Sequence, residues 1–154
     1  MAKVSPIPPG MHTVTPVLTI KGCAEAIEFY KKAFGAEEMM RSPDPTGKLV
    51  WHAAIRIGDS TIFMNDEIPG MTKPASPAQL WLYVESADAA FKRATGAGCQ
   101  VAMPPADMFW GDRMSKVTDK WGNDWAIATH VKDMTPQEME KAAKAFIAEM
   151  SKKN

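Results

Sequence analysis

A chain of 154 residues is long enough for one domain with a proper core and too short for two ordinary ones. Its 18 basic and 18 acidic residues cancel, so no basic field exists to hold nucleic acid or an anionic membrane, and neither is expected as a partner. Apolar content of 45% with 23% charged residues fits a soluble globular protein, and no apolar run approaches the roughly 18 residues of a membrane span.

The first stretch, MAKVSPIPPGMH, has one Lys and no apolar h-region. It is therefore expected to be neither a secretory signal nor regular structure, since Pro6, Pro8 and Pro9 forbid pairing. A cytoplasmic location is the expectation. From Met11 the residues alternate: Val14, Pro16, Leu18 and Ile20 fall on one side, and Thr13, Thr15, Val17 and Thr19 on the other, which predicts a half-buried strand. Gly22 breaks it. In AEAIEFYKKAFG, Ile27, Tyr30 and Phe34 form one helical stripe, Glu25, Glu28, Lys31 and Lys32 stay wet, and Gly35 stops the helix. AEEMMRS reads as a short strand, PDPTG as a turn, and KLVWHAAIRIG with STIFMND as a hairpin about Gly58-Asp59.

The same grammar then repeats. In AQLWLYVES, Leu80, Leu82 and Val84 alternate with Gln79, Trp81 and Tyr83; Ser86 caps the helix ADAAFKRATGAG; CQVAMPP, GDRMSKVTD and DWAIATH are three more strands. Each half is β-α-β-β-β (11–66 and 79–133), at roughly 50 to 60 residues a copy, joined by the Pro-rich linker 67–78. The fold class expected is α+β: two tandem modules in a curved mixed sheet, helices outside, and an open cleft on the inner face. After the second copy, Thr135-Pro136-Gln137-Glu138 makes a capping box for a helix over 135–151, with Met139, Ala143, Phe146, Ile147 and Met150 as its apolar stripe.

TPVLTIKGCAEAIEFYKKAFGAE, HAAIRIGDSTIFMNDE and FWGDRMSKVTDKWGNDWAIATH, taken in order, resemble the vicinal oxygen chelate superfamily of glyoxalase I, extradiol dioxygenases and bleomycin-binding resistance proteins, and within it the PhnB-like branch. The resemblance covers about residues 11 to 133. It implies a cleft in which the family's enzymes hold one divalent metal on the first and last strands of each copy. By the family's landmarks those positions fall here on Thr15, Phe63, Gln79 and Ala126. A divalent cation needs several imidazole, carboxylate or amide lone pairs converging at about 2 to 2.4 Å. Phe63 and Ala126 have none, and a slip to Met64 or Ile127 supplies none either. No cofactor is therefore expected, a divalent metal being the alternative.

The residues expected to meet a ligand are His52, Arg56, Phe63, Gln79, Trp81, Tyr83, Trp110 and Arg113. Alternation sends His52, Ala54 and Arg56 to the cleft if Ile55 and Ile57 face the helix, and it sends Gln79, Trp81 and Tyr83 there together. Large rings with one polar atom each suit a flat, partly polar molecule. Two alternatives stay open: the rings meet a ligand, or they fill the cleft themselves. Likewise His52 is either a hydrogen-bonded structural residue or a ligand contact. A separate metal site from His52, His130 and Asp112 has no support in their spacing, and no Ser-His-Asp or Cys-His motif exists. Trp51 and Trp125 read as core, Trp121 as a surface turn residue, and Trp110 with Arg113 as the cleft entrance. Asp112 and Arg113 are expected to pair with each other or with a ligand charge. Cys23 and Cys99 read as buried, reduced and inert. The functional expectation is a metal-free binder of a small, partly aromatic molecule, of the sequestration or resistance type, acting as a homodimer. A metal-dependent lyase, isomerase or dioxygenase with a non-standard site is the alternative, and a bare interaction module is a third.

Overall fold

The computed structural model describes residues 2–153. Contacts divide them into two compact units, one running to Ala78 and the other starting at Gln79. In the first, the order is β1 (Val17–Ile20), α1 (Cys23–Phe34), β2 (Glu37–Pro43), β3 (Val50–Ile57) and β4 (Ser60–Asp66). In the second it is β5 (Gln79–Tyr83), α2 (Ala87–Ala97), β6 (Gln100–Asp107), β7 (Asp112–Thr118), β8 (Asp124–His130) and α3 (Pro136–Ser151). Each unit is β-α-β-β-β with its own four-stranded mixed sheet. The strand orders, β1-β4-β3-β2 and β5-β8-β7-β6, match position for position, each with one parallel pair at β1/β4 or β5/β8.

The helix of each unit packs on one face of its sheet. In the first unit Ile27 and Tyr30 of α1, and Leu18, Ile20, Ile55, Ile62 and Met64 of the strands it packs on, are all 5% exposed or less. Each such aliphatic side chain is worth about 1.5–3 kcal/mol of burial. The start of α1 has no capping side chain of its own. Buried Asp66, the last residue of β4, takes that role from 43 residues away: it accepts hydrogen bonds from the backbone N–H of Gly22 and Cys23, and from that of Val50 at the start of β3.

The predicted first strand is shorter than its alternation. Thr13 to Pro16 lie outside β1 and Val14 is 80% exposed, because only from Val17 does the chain run in register with β4. Trp51, expected in the core, stands at the beginning of β3 and is 41% exposed. Trp125 is fully buried, as expected, and its indole N–H donates to Asp119. The carboxylate of Asp119 also accepts from the backbone of Trp121 and Asn123, which shapes the β7–β8 turn and leaves Trp121 half-buried in it. Both cysteines are free and buried; desolvation pushes the Cys23 thiol up to about 12 and the Cys99 thiol to about 11. On α3, Thr135 and Glu138 form the expected capping box. None of its side chains is fully buried, and Phe146 lies against Phe109 with ring centroids 5.1 Å apart. No helix among the described residues is long and apolar enough to cross a membrane.

Candidate functional site

Strand register decides which side chains share a face. In the second unit, β8 runs between β5 and β7. Trp81 and Lys116 are both direct partners of Ala126, Tyr83 and Met114 of Ala128, Gln79 and Thr118 of Asp124, and Asp112 of His130. All of these point away from α2. The opposite face carries Leu80, Leu82, Ser115, Val117, Trp125 and Ile127. On the face away from the helix, Met114, Ala126 and Ala128 form an apolar floor against which Met103, Met108 and Trp110 pack.

The rings around that floor are open. Trp81 is 46% exposed and Tyr83 63%. Trp81 stands 6.1 Å from Tyr83 and 6.3 Å from Trp110, centroid to centroid, so the three rings form a tilted cluster. They do not cover one another. A pocket of about 270 Å³ lies beside them, lined by Gln79, Leu80, Trp81, Lys116, Asp124 and Ala126.

One buried carboxylate sets the positions of two of these rings. Asp112, 2% exposed, accepts from the Tyr83 hydroxyl at 2.9 Å and from the Trp110 indole N–H at 2.8 Å, and its other oxygen meets His130 Nδ1 at 3.0 Å. Burial alone would raise its pKa, but hydrogen bonds from His130, Trp110 and Tyr83 outweigh that and hold it below the usual carboxylate value. The carboxylate in turn pushes the Tyr83 phenol up. His130 is raised, first by its bond to Asp133 at Nε2 and then by Asp112. The turn that delivers Trp110 depends on Gly111. Its φ is 96°, its carbonyl accepts from Val131 and Lys132, and a Cβ there would run into the backbone oxygen of Lys132.

Arg113 does not join this group, contrary to the expectation that it flanks the entrance with Trp110. It is one residue on from Asp112 and therefore points to the helix face, where it grips Asp88 of α2 with two nitrogens and reaches Asp107 with a third. Asp112 and Arg113 do not pair with each other, because strand alternation separates them. In the first unit, His52, Ala54 and Arg56 do share the face away from α1, as alternation predicted, and Phe63 joins them as the cross-strand partner of Ala54. His52 stacks edge-on to Phe63 with centroids 4.7 Å apart, and Arg56 bonds Glu37 at 2.6 Å. A separate pocket of about 480 Å³ runs between β1 and the proline-rich segment, lined by Val17, Thr19, Lys73 and Pro74 among others.

The four positions to which the family resemblance assigns metal ligands do not offer a donor set. Thr15 is a half-buried hydroxyl ahead of β1, Phe63 presents a ring to His52, and Ala126 presents a methyl group to its face. Gln79 is left as one amide. These residues do not fit a divalent cation. Among the described residues, no three His, Cys, Asp or Glu side chains gather elsewhere in a way that suits one. His52 and the Asp112–His130 pair belong to different sheets. Sequence reasoning missed Lys116 and Asp124 as pocket residues. RMSKVTD has apolar residues at Met114 and Val117, three apart and hence on opposite faces, so its periodicity does not choose a side.

Comparison with known proteins agrees with this architecture. An uncharacterized protein of Mycobacterium bovis is 38% identical over 138 residues, covering 84% of this chain and 90% of its own length. Protein YjdN of Escherichia coli is 31% identical over 137 residues, covering 74% of this chain and 92% of its own. Among solved structures, TioX from Micromonospora sp. ML1 superposes with a TM-score of 0.62 at 23% identity, over 77% of this chain and 99% of TioX, a likeness of fold. A gene product of Arabidopsis thaliana gives 0.61 at 26% identity, over 77% and 98%. The family model of the Glyoxalase/Bleomycin resistance protein/Dioxygenase superfamily matches residues 11–127, with both modules inside the match, and the chain belongs to that superfamily.

Proposed function

We propose that this protein binds a small, partly aromatic organic molecule without a metal, in the manner of a sequestration or resistance protein. The ligand lies on the face of the second module that carries Trp81, Tyr83 and Trp110. The observation that carries this reading is the exposure of Trp81 and Tyr83. Two large rings stand 46% and 63% open on a sheet face, beside a pocket and on an apolar floor, while Leu80 and Leu82 between and beside them turn to the helix. Leaving that much aromatic surface in water is unfavourable unless something flat covers it. Asp112 supports the reading, because it holds Tyr83 and Trp110 in place before any ligand arrives, which lowers the ordering cost of binding. A homodimer in the cytoplasm completes the proposal. The exposed Phe146, Ile147 and Met150 of α3 supply an apolar contact surface for a second copy.

A thermal-shift screen of planar aromatic compounds and of divalent metals, on wild type and Trp81→Ala side by side, tests the function. The expected result is one or more aromatic compounds that raise the melting temperature of wild type and not of the variant. A stoichiometric divalent metal in the purified protein, or a shift by metals alone, would instead favour the metal-dependent enzymes of the superfamily. Sedimentation velocity tests the dimer, with Ile147→Glu expected to shift it to monomer.

A further inference from the structure

We infer that the pocket at Ala126 receives the acid group of the ligand, with Lys116 as its counter-ion, so that the ligand class is a flat aromatic carboxylic acid carrying a hydrogen-bond donor. This rests on the binding reading above and adds the charge of the ligand to it.

The geometry is a row across three adjacent strands. Trp81 on β5 and Lys116 on β7 are both direct partners of Ala126 on the β8 strand between them. With strands about 4.8 Å apart, the indole and the ammonium stem rise roughly 10 Å from each other. Between them the floor is a single methyl group. The space is the pocket of about 270 Å³, large enough for a two-ring molecule. A ring lying on Trp81 therefore extends over Ala126 and brings a substituent on its far edge to Lys116.

The polar groups of the pocket define that substituent. Arg113 on the other face of β7 is held by two carboxylates, whereas the Lys116 side chain makes no hydrogen bond or ion pair among the described residues. Its three N–H donors are free to meet an anion. Gln79 likewise has no side-chain partner among the described residues. Asp124, the cross-strand neighbour of Gln79, accepts from Thr118 with one oxygen at 2.8 Å and lines the same pocket. At the Gln79–Asp124 end the pocket thus favours an N–H or O–H donor, and at the Lys116 end an anion. A carboxylate alone would be drawn to Lys116 and repelled by Asp124, which orients it. Ala126 suits this arrangement, because its methyl group leaves room for an anion beside the Lys116 ammonium.

The test is calorimetric titration of the full chain at low ionic strength with 3-amino-2-naphthoate and with its neutral counterpart, 3-amino-2-naphthamide. Wild type, Lys116→Gln and Trp81→Ala are compared, with circular dichroism confirming that each variant is folded. The expected result is that wild type prefers the acid over the amide by about two- to fivefold, the effect of one exposed ion pair. Lys116→Gln should bring that ratio close to one by weakening the acid, and Trp81→Ala should weaken both ligands. Equal affinity for acid and amide in wild type, or a preference that survives Lys116→Gln, overturns the acid inference; if Trp81→Ala still weakens both, the aromatic-binding reading stands without it. If wild type binds neither compound, both are overturned.

Discussion

Replacing Asp66 by Ala should cost this protein a large part of its stability, although the residue lies outside the proposed ligand site. Its Oδ1 accepts from the backbone N–H of Gly22 at 2.9 Å and Cys23 at 3.0 Å, and its Oδ2 from that of Val50 at 2.7 Å. One carboxylate thus joins the end of β4 to the start of α1 and the start of β3. Truncation removes all three acceptors at once. Gly22 is exposed and its N–H can turn to water, but Cys23 and Val50 are 0% and 4% exposed and theirs cannot. Each buried unsatisfied donor costs about 1–3 kcal/mol. Loss of a negative charge at the helix N-terminus adds about 0.5 kcal/mol. The sum is about 2.5–6.5 kcal/mol, out of a total that for an ordinary domain is about 5–15 kcal/mol. Asp66→Asn keeps an acceptor on one side and turns an NH₂ towards donors on the other, so about 2–3 kcal/mol is expected from it. Urea unfolding at pH 7, followed by tryptophan fluorescence and far-ultraviolet circular dichroism, measures both. With an m-value of about 2 kcal/mol/M, the Ala variant's midpoint should fall by about 2 M. A midpoint within about 0.3 M of wild type at unchanged m would refute the reasoning, since it would mean the three N–H groups find other partners at no cost.

Gly111→Ala forces a side chain into a backbone at φ 96° and against the Lys132 carbonyl, so a loss of at least about 2 kcal/mol is expected; an unchanged melting temperature would contradict the turn geometry that presents Trp110. The His130 imidazolium is stabilised by Asp133 and Asp112, which puts its folded pKa above the unfolded one. Its contribution to stability is therefore complete below about pH 6.5 and is lost as pH rises through the folded value. The difference in melting temperature between wild type and His130→Gln should be greatest near pH 6 and shrink towards pH 9, and a difference that grows with pH would show the sign to be wrong.

Local chemistry was legible from the residues alone. The stripe Ile27, Tyr30 and Phe34, the stop at Gly35, the cap at Ser86 and the Thr135–Glu138 box all depend on neighbours within a turn or two, and the helices they predict are the helices observed. The repeat of β-α-β-β-β was legible for the same reason, and with it the superfamily. Alternation correctly put His52 with Ala54 and Arg56 on one face, and Gln79 with Trp81 and Tyr83 on another. Trp51 was misplaced because the β2–β3 register slips between Ser42 and Pro43, which pair with His52 and Val50 and leave Trp51, 41% exposed, without a partner on β2.

By itself, then, the sequence determined the elements, their order and their duplication. Only the tertiary structure decided that Arg113 belongs to α2 through Asp88, that Lys116 faces Trp81 across Ala126, that Asp112 gathers Tyr83, Trp110 and His130, and that Asp66 caps a helix 43 residues before it. The physical reason is that alternation divides a strand into two faces without naming the inner one. That assignment comes from hydrogen-bond register between strands distant in the chain, and one residue of register exchanges a side chain under the helix for one on the opposite face.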